Sequence, residues 1–276
     1  MDASKAPALE TVEGEPIEEL AVPPSRPRVS AIGLLGEILL TAGLILLLFL
    51  AWQLWWNDAL LAGSQAGSAR GLSREWADSP DAAVVEPSPV PSASSAPLPD
   101  YGAPFVVAEP EHLSVIGNLW VPRFGTDYVR TIAQGTTTDV LNSTRLGVGH
   151  YDGTQMPGEV GNFAIASHRS AYGGGLHLID KLQVGDPIVV ETQDGWYVYR
   201  FTNLEYVLPT AIEVLAPVPQ HPGAAAGDRI ITLTTCNPLY STAERVAAYG
   251  VLESWQPRSA GAPAEVADIV HASGVE

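Results

Sequence analysis

The chain has 276 residues, which is enough for one domain with a sizeable core and for extensions on either side of it. Lys and Arg number 14 against 31 Asp and Glu, so the formal net charge is −17 and we expect no nucleic-acid partner. The single cysteine, Cys236, excludes an intramolecular disulfide.

The N-terminal segment, residues 1–30, is acidic, contains several prolines and lacks an apolar period. Such a composition cannot bury enough apolar surface to fold, so it predicts a disordered tail.

Residues 31–56, AIGLLGEILLTAGLILLLFLAWQLWW, form a long apolar run that ends in three tryptophans. At about 1.5 Å per residue a helix of this length can cross the roughly 30 Å hydrocarbon core of a bilayer. The run is too long for the apolar region of a cleaved signal peptide, so we interpret it as a transmembrane helix. Arg26 and Arg28 precede it, and the positive-inside rule therefore places the N-terminus in the cytoplasm and the residues after Trp56 outside the cell.

Residues 57–108 are rich in Ala, Ser and Pro, as in DAAVVEPSPVPSASSAPLPDYGAP. We predict that this segment is an extended extracellular linker, because its composition offers little to pack and its prolines stiffen it.

From residue 109 to residue 256 the pattern changes to short apolar runs separated by turn residues, with little helix. TTTDVLNSTRLGVG is predicted to be a short helix capped near Thr138 or Asp139, and LHLIDKL a helical turn. About seven or eight strands at such spacing favour a closed β-barrel or a sandwich. The segments predicted as strands are LSVIGNLW, VPRFG, NFAIASH, PIVVET, WYVYRFTNLEYV, RIITLTTC and RVAAYGVLESW. The remaining residues, 257–276, are small and polar, which predicts a loose C-terminal tail.

Cys236 lies at the end of the apolar strand RIITLTT, with polar neighbours and a proline two residues later. A lone cysteine is often a small buried hydrophobe, but a junction of strand and loop is where sites are commonly built. A thiolate nucleophile needs a nearby imidazole and a cation. His168 follows the strand NFAIAS as Cys236 follows its own strand, so both side chains can lie at one rim of a barrel.

Two arginines compete for the role of the cation. Arg245 begins the strand after Cys236, and the loop NPLYSTAE between them is long enough to fold back to the same rim. Arg229 lies seven residues before the thiol, about 23 Å along an extended strand, and belongs at the opposite end. We therefore favour Arg245 as the donor to a developing oxyanion.

A metal site is the weaker interpretation of these residues. No HxxxH or CxxC pair is present. The histidines besides His168 that we considered are interpreted as surface or loop residues, namely His112, His150, His177 and His221.

TLTTC with an arginine nine residues later resembles the TLxTC…R signature of the sortases, membrane-anchored cysteine transpeptidases of Gram-positive bacteria. PGEVGNFAIASHRS is similar to the histidine segment of that family, and LHLIDKLQVGDPIVVET and VLPTAIEVL also match its pattern. The resemblance covers roughly residues 111–254. The PGExGN and HR elements and the proline-rich stretch are most similar to the class E sortases of actinobacteria.

The resemblance implies an eight-stranded barrel and three catalytic residues, Cys236, His168 and Arg245. Cys236 would attack the threonine carbonyl of a sorting motif such as LPxTG or LAxTG and form a thioacyl enzyme. His168 would protonate the leaving amine and then act as the base for the incoming amine, while Arg245 would stabilise the oxyanion. The partners would be secreted proteins with C-terminal sorting signals and a peptidoglycan precursor of the lipid II type. Some sortases bind calcium, but this sequence has no dense carboxylate cluster, so we predict no metal or other cofactor.

Two other functions remain open at this level. An L,D-transpeptidase is also an exported cysteine enzyme, but its histidine and cysteine usually lie close together in sequence, whereas His168 and Cys236 are far apart. An anchored wall-binding module without catalysis would keep Cys236 as an inert side chain.

Overall fold

The structure of the chain is a computed structural model that describes residues 30–52, 56–79 and 101–275. The predicted N-terminal tail, residues 1–30, lies outside the described residues except for Ser30. So does the proline-rich part of the predicted linker, residues 80–100.

The chain forms two compact units, which meet in sequence at Leu47 and Leu48. The first unit contains most of helix α1, Ala31–Ala51, whose apolar side chains are exposed along its whole length. Among the described residues, α1 is the one helix long and apolar enough to cross a membrane. The helix begins at the first residue of the predicted span and ends at Ala51, and residues 53–55 of that span lie outside the described part of the chain.

The second unit is built on a closed barrel of eight strands, which confirms the fold that the sequence predicted. Neighbouring strands follow the order β1, β2, β3, β4, β7, β8, β6, β5, and β5 pairs with β1 to close the ring. Only β2 with β3 and β4 with β7 pair in parallel among these strands. The strands are β1 (Val115–Trp120), β2 (Val129–Gln134), β3 (Gly147–His150), β4 (Gly161–Ser167), β5 (Pro187–Glu191), β6 (Gly195–Val207), β7 (Arg229–Asn237) and β8 (Glu244–Pro257).

The interior of the barrel holds the main hydrophobic core, because side chains along each strand point alternately inward and outward. On β4, Phe163 and Ile165 belong to this core, and on β7 Ile231 and Leu233 do so. The residues that alternate with them, such as Thr232 and Thr234, therefore lie on the outer face of the barrel. This alternation decides which strand-end residues share a face.

Two strands of the barrel, β2 and β3, are absent from the sequence prediction. In β2, Arg130 interrupts the apolar pattern, yet it is buried. Its guanidinium donates to the carbonyl of Val129, and its Cζ lies 4.9 Å from the centre of the Tyr128 ring. β3 has only four residues and lies within the stretch predicted as one helix. The helical part of that stretch is α3, Thr138–Leu141.

The segment VPRFG, predicted as a strand, forms instead a short 3₁₀ helix at Pro122–Phe124. Proline favours this outcome because it occupies the first helical position, where its fixed φ suits a helix and its missing N–H costs nothing. The predicted helical turn in LHLIDKL is present at Ile179–Lys181.

The prediction that residues 57–108 form an extended linker is wrong for its first part. Helix α2, Asn57–Ala77, packs on the outer face of the barrel. Its Ala66, Ala69 and Trp76 are buried, and they join an apolar cluster with Trp120 on β1 and other strand residues. Residues 57–77 contain no proline, so nothing in their backbone prevents a helix.

A buried carboxylate fixes α2 against the barrel. Glu191, at the end of β5, is fully buried and accepts a hydrogen bond from the hydroxyl of Ser73 on α2 at 2.5 Å. Trp120 Nε1 donates to the same carboxylate at 2.8 Å, and Asn118 Nδ2 at 3.2 Å. The guanidinium of Arg258 lies 3.0 Å from it and supplies the opposite charge. A buried carboxylate with these partners avoids the large cost of an unpaired buried charge.

The prediction of a loose tail at 257–276 is also wrong for part of its length. Helix α4, Ala267–Ala272, follows a 3₁₀ turn at Arg258–Ala260. Val266, Val270 and Val275 are buried in the same apolar cluster as α2. These valines are spaced by four and five residues, a pattern that does not stand out in a segment composed mostly of small and polar residues.

Candidate active site

The structure brings together the ends of the two strands that carry His168 and Cys236. Strands β4 and β7 are neighbours and run parallel, so their C-terminal ends lie at the same rim. At that rim the hydroxyl of Thr235 donates to the carbonyl of Ser167 over 2.7 Å. The next residues along the two strands are Cys236 and His168, so both lie at the same level of the barrel.

Arg245 is the direct cross-strand partner of Cys236, on the neighbouring antiparallel strand β8. Side chains of such a pair share a face, with Cβ atoms about 4.5–5.5 Å apart. The Cys236 thiol is free and half-buried. Arg245 Nη1 donates to the carbonyls of Thr242 at 3.0 Å and Glu244 at 2.9 Å. These bonds fix one side of the guanidinium, which still has other N–H donors for a ligand.

The rival arginine lies at the other end of the same strand. Arg229 pairs with Gly161 at the start of β4, and its Nε donates to the carbonyl of Gly158 at 2.7 Å. The strand that carries Cys236 at its end therefore keeps Arg229 away from the thiol, as expected from their separation in sequence.

His168 is held from two sides by neighbouring loops. Its Nε2 lies 2.7 Å from Oδ1 of Asn142, and because an amide oxygen can only accept, Nε2 carries the hydrogen. The centre of the Tyr172 ring lies 4.9 Å from the centre of the imidazole ring. Burial lowers the pKa of His168 below its usual value, and the negative charge of Asp58 opposes this effect. The neutral imidazole is therefore favoured near pH 7 and can accept a proton.

The residues that follow His168 and Cys236 join the two segments. Arg169 is buried; its Nη1 donates to Oδ1 of Asn237, and its Nη2 lies 3.2 Å from a carboxylate oxygen of Asp180. This guanidinium therefore has a structural role next to the candidate site. It fixes the loop after His168 to the end of the strand that carries the thiol.

A groove of about 130 Å³ lies beside these residues on the outer face of the barrel. Thr234, Arg245 and Tyr151 line it on the barrel side, and Leu208 and Ile212 line it from the segment that follows β6. The lining therefore combines apolar side chains with the side chain of Arg245, the cross-strand partner of Cys236.

Polar residues on the outer face hold the covering segment in place. Asn162 Nδ2 donates to the carbonyls of Val214 at 3.0 Å and Ala216 at 3.1 Å. The hydroxyl of Thr232 donates to Asn162 Oδ1 at 2.6 Å, which orients the amide. The groove wall is thus fixed to β4 and β7, the strands that end in His168 and Cys236.

The other histidines differ from the sequence prediction in one case. His150, interpreted as a surface or loop residue, is fully buried on β3, where Nδ1 lies 2.8 Å from Gln134 Oε1 and Nε2 lies 3.0 Å from the carbonyl of Gln155. Burial lowers its pKa. Within residues 30–52, 56–79 and 101–275, no three His, Cys, Asp or Glu side chains cluster as metal ligands. The absence of a metal requirement stays a prediction.

A larger cavity of about 480 Å³ lies elsewhere, between α4 and the start of β6. Trp196, Arg258 and His271 line it, together with small apolar residues. Its lining does not include Arg245, the cross-strand partner of Cys236, whereas the lining of the groove does, so the groove is the better candidate for the reaction.

Acidification should destabilise the second unit through two histidines, the buried His150 and the partly buried His168. The pKa values of His150 and His168 are lowered by burial, so between these values and the ordinary value of about 6.5 the unfolded chain binds more protons than the folded one. The free energy of unfolding should therefore fall as the pH drops from 7.5 to 5.5. Thermal melts of the soluble chain 56–276 measure this, and His150→Gln should flatten the dependence. An unchanged melting temperature across that interval would contradict it.

Several known proteins are similar to this chain in sequence or in structure. The sortase domain model matches residues 119–253. Sortase SrtE1 of Streptomyces coelicolor is 35% identical over 238 residues, which cover 83% of this chain and 59% of that protein. The chain therefore spans less than two thirds of the length of that relative. Sortase SrtE2 of the same organism is 32% identical over 236 residues, covering 83% of this chain and 85% of the relative.

Among solved structures, the SrtA sortase from Actinomyces oris superposes with a TM-score of 0.56 at 41% identity. The match covers 60% of this chain and 94% of that structure, so nearly all of the solved sortase has a counterpart here. From the domain match and from relatives of this identity and coverage, we conclude that the chain belongs to the sortase family of cysteine transpeptidases, with class E sortases among its relatives.

Proposed function

We propose that this chain cleaves a C-terminal sorting signal of the LPxTG or LAxTG type and joins the released protein to an amine of a peptidoglycan precursor. One observation carries the proposal. Cys236 and Arg245 are cross-strand partners on β7 and β8, His168 directly follows the neighbouring strand β4 at the same rim, and Arg245 lines a groove there. A thiol, an imidazole and a guanidinium in this arrangement are the groups that acyl transfer requires.

In the first half of the reaction, the neutral imidazole of His168 takes the proton of the Cys236 thiol, and the resulting thiolate attacks the carbonyl carbon of the threonine in the sorting motif. The carbonyl electrons move to oxygen, and the guanidinium of Arg245 donates hydrogen bonds to that oxyanion. As the intermediate collapses, the bond from the threonine carbon to the glycine nitrogen breaks. His168 gives its proton to the leaving amine, and a thioester remains on Cys236.

In the second half, an amine of the acceptor attacks the thioester carbonyl. His168 is now neutral, the form that burial favours, and takes the proton from the attacking nitrogen. The sulfur leaves as a thiolate, and a new amide joins the threonine to the acceptor. The enzyme returns to its starting state, and no metal or cofactor enters the sequence of steps.

We further propose that α1 anchors the chain in the cell membrane with the N-terminus in the cytoplasm and the barrel outside. The helix has 21 residues and is apolar throughout apart from one carboxylate. Arg26 and Arg28 precede it in sequence, which favours this orientation under the positive-inside rule. Secreted proteins and lipid-linked peptidoglycan precursors are both accessible on that side of the membrane.

The test is transfer of a fluorogenic LPxTG or LAxTG peptide to an amine by the full chain in detergent. Arg245→Ala should lower kcat/KM by about 10²–10³-fold, because it removes donors to the oxyanion. Arg229→Ala is the matched control: it deletes a guanidinium at the opposite end of β7, away from Cys236, and should stay within a few-fold of wild type.

Equal losses in the two arginine variants would mean that the guanidinium of Arg245 acts only through stability, and its role would be withdrawn. If neither peptide is cleaved and iodoacetamide fails to modify Cys236 in the folded chain, the transpeptidase proposal itself fails. A wall-binding module with an inert cysteine would then be the better description.

A further inference from the structure

Helix α2 contacts the two loops that hold His168, although it lies outside the barrel. One loop follows α3 and contains Asn142, the hydrogen-bond partner of His168 Nε2. The other follows β4 and contains Tyr172, whose ring lies against the imidazole. Both loops therefore control where the imidazole lies, and both are reached by a single side chain of α2.

That side chain is Gln65, which is fully buried. Its Nε2 donates to the carbonyl of Ser143 at 2.8 Å and to the carbonyl of Tyr172 at 3.0 Å. Because both partners are carbonyl oxygens, only the amide nitrogen can occupy this position. Ser143 is adjacent to Asn142, so each bond ends on a residue that touches His168 or is directly bonded to one that does.

Two glycines leave room for the side chain of Gln65, one at the start of β3 and one in the loop after β4. A Cβ on Gly147 would lie 2.7 Å from Gln65 Nε2, and a Cβ on Gly173 would lie 2.7 Å from Gln65 Oε1. Gly147 and Gly173 also adopt positive φ values of 108° and 87°, which side chains rarely allow. In the described part of the chain Gln65 Oε1 has no hydrogen-bond partner, so the polar stabilisation of this residue comes from its two donated bonds.

A second contact from α2 reaches the same place independently. Asp58, in the first turn of α2, accepts a hydrogen bond from the backbone N–H of Gly173 at 3.4 Å. Its negative charge opposes the effect of burial on the pKa of His168. The charged and titratable groups acting on the imidazole therefore include one from α2 itself.

We infer that Gln65 is a positioning residue: through its bonds to the loops of Ser143 and Tyr172, α2 holds His168 in the orientation needed for proton transfer at Cys236. This inference rests on the proposed function for its kinetic consequence. The structural part, that Gln65 fixes the imidazole, stands independently of which substrate is used.

The variant that tests this is Gln65→Met in the full chain. Methionine keeps the unbranched length and the helix propensity of glutamine, and it removes both donors together with the unpaired oxygen, so the chain should fold. Ser73→Ala is the matched control, since it deletes another buried hydrogen bond of α2 about 12 Å further along the helix, far from His168. Stability loss alone would affect both variants.

We expect Gln65→Met to lower kcat for peptide transfer by about 10-fold or more with little change in KM, because small misplacements of a catalytic group are costly. In ¹⁵N-histidine NMR of the full chain, the titration midpoint of His168, assigned with His168→Gln, should rise towards about 6.5 as the loops loosen and burial is relieved. Ser73→Ala should leave both measurements at their wild-type values.

A wild-type kcat together with an unchanged His168 midpoint in Gln65→Met would overturn the inference. Equal changes in Ser73→Ala would also overturn it, since a general loosening of α2 would then explain them. If the wild-type chain transfers no peptide and its Cys236 is not modified by iodoacetamide, the proposed function fails, and the NMR midpoint alone decides whether Gln65 positions the imidazole.

Discussion

The full chain carrying Cys236→Ala should lose peptide transfer by about 10⁴-fold or more, and no acyl adduct should form on it. The thiol is the only one in the sequence, so no other cysteine can replace it as nucleophile. Intact-mass measurement after mixing wild type with a sorting peptide should show the mass of the acyl fragment, and that mass should be absent from the variant.

Cys236→Ser is the isosteric control for this experiment. A hydroxyl fits the half-buried position but is not ionised near neutral pH, so the serine variant should fold like wild type and also be inactive. Cleavage that survives in either variant would show that another group attacks the peptide. An inactive variant whose melting temperature has collapsed would not support the assignment, which makes the thermal measurement part of the test.

The same thiol reports the orientation of the chain in the membrane. A maleimide that does not cross membranes should label Cys236 in intact cells, and Cys236→Ala should abolish the signal. Labelling that appears only after the cells are permeabilised would place the barrel in the cytoplasm and overturn the proposed topology. Because the chain has one cysteine, no background sites have to be removed first.

The barrel was predictable where strands carry an uninterrupted apolar pattern, and it was missed where buried polar residues break that pattern. β7 reads RIITLTTC and follows the rule closely. β2 reads VRTIAQ, and the buried Gln134 depends on partners far away in sequence, because its amide nitrogen donates to Glu109 and Asp152. No local pattern reveals such partners before the fold is known.

Helix α2 was missed for a different reason, since composition was averaged over residues 57–108. The buried residues of α2 are Gln65, Ala66, Ala69, Ser73 and Trp76, which recur at helical spacing. Most of them are small, so the helical face does not stand out as hydrophobic. The proline-free stretch up to residue 79 is the signal that separates a helix from the proline-rich residues after it.

Cys236, His168 and Arg245 were proposed from the sequence because each lies at an end of a predicted strand. Asn142 and Gln65 were not, because each acts through a contact between segments far apart in the chain. Asn142 lies 26 residues from His168, and Gln65 lies 78 residues from Ser143. Such residues become visible only when loops are placed next to each other.

Removal of α2 should weaken the barrel strongly, even though every strand would remain. A soluble chain that begins at residue 101 lacks the Ser73 hydroxyl on Glu191 and the Trp76 ring, which lies 5.4 Å from the Arg258 guanidinium. Losing one large buried side chain and a few buried hydrogen bonds costs about 4–6 kcal/mol in the free energy of unfolding. For a domain of this size that corresponds to a melting temperature lower by about 10–20 °C.

The chain 56–276 is the control, because it also lacks α1 but keeps α2. It should melt at the higher temperature and transfer peptide, whereas 101–276 should be both less stable and slower, since His168 loses Gln65 and Asp58. A peptide of residues 56–79 added to 101–276 should restore part of both properties if α2 docks as a separate helix. Identical melting temperatures and rates for the two chains would mean that α2 is dispensable and that the catalytic unit begins where the sequence alone placed it, near residue 109.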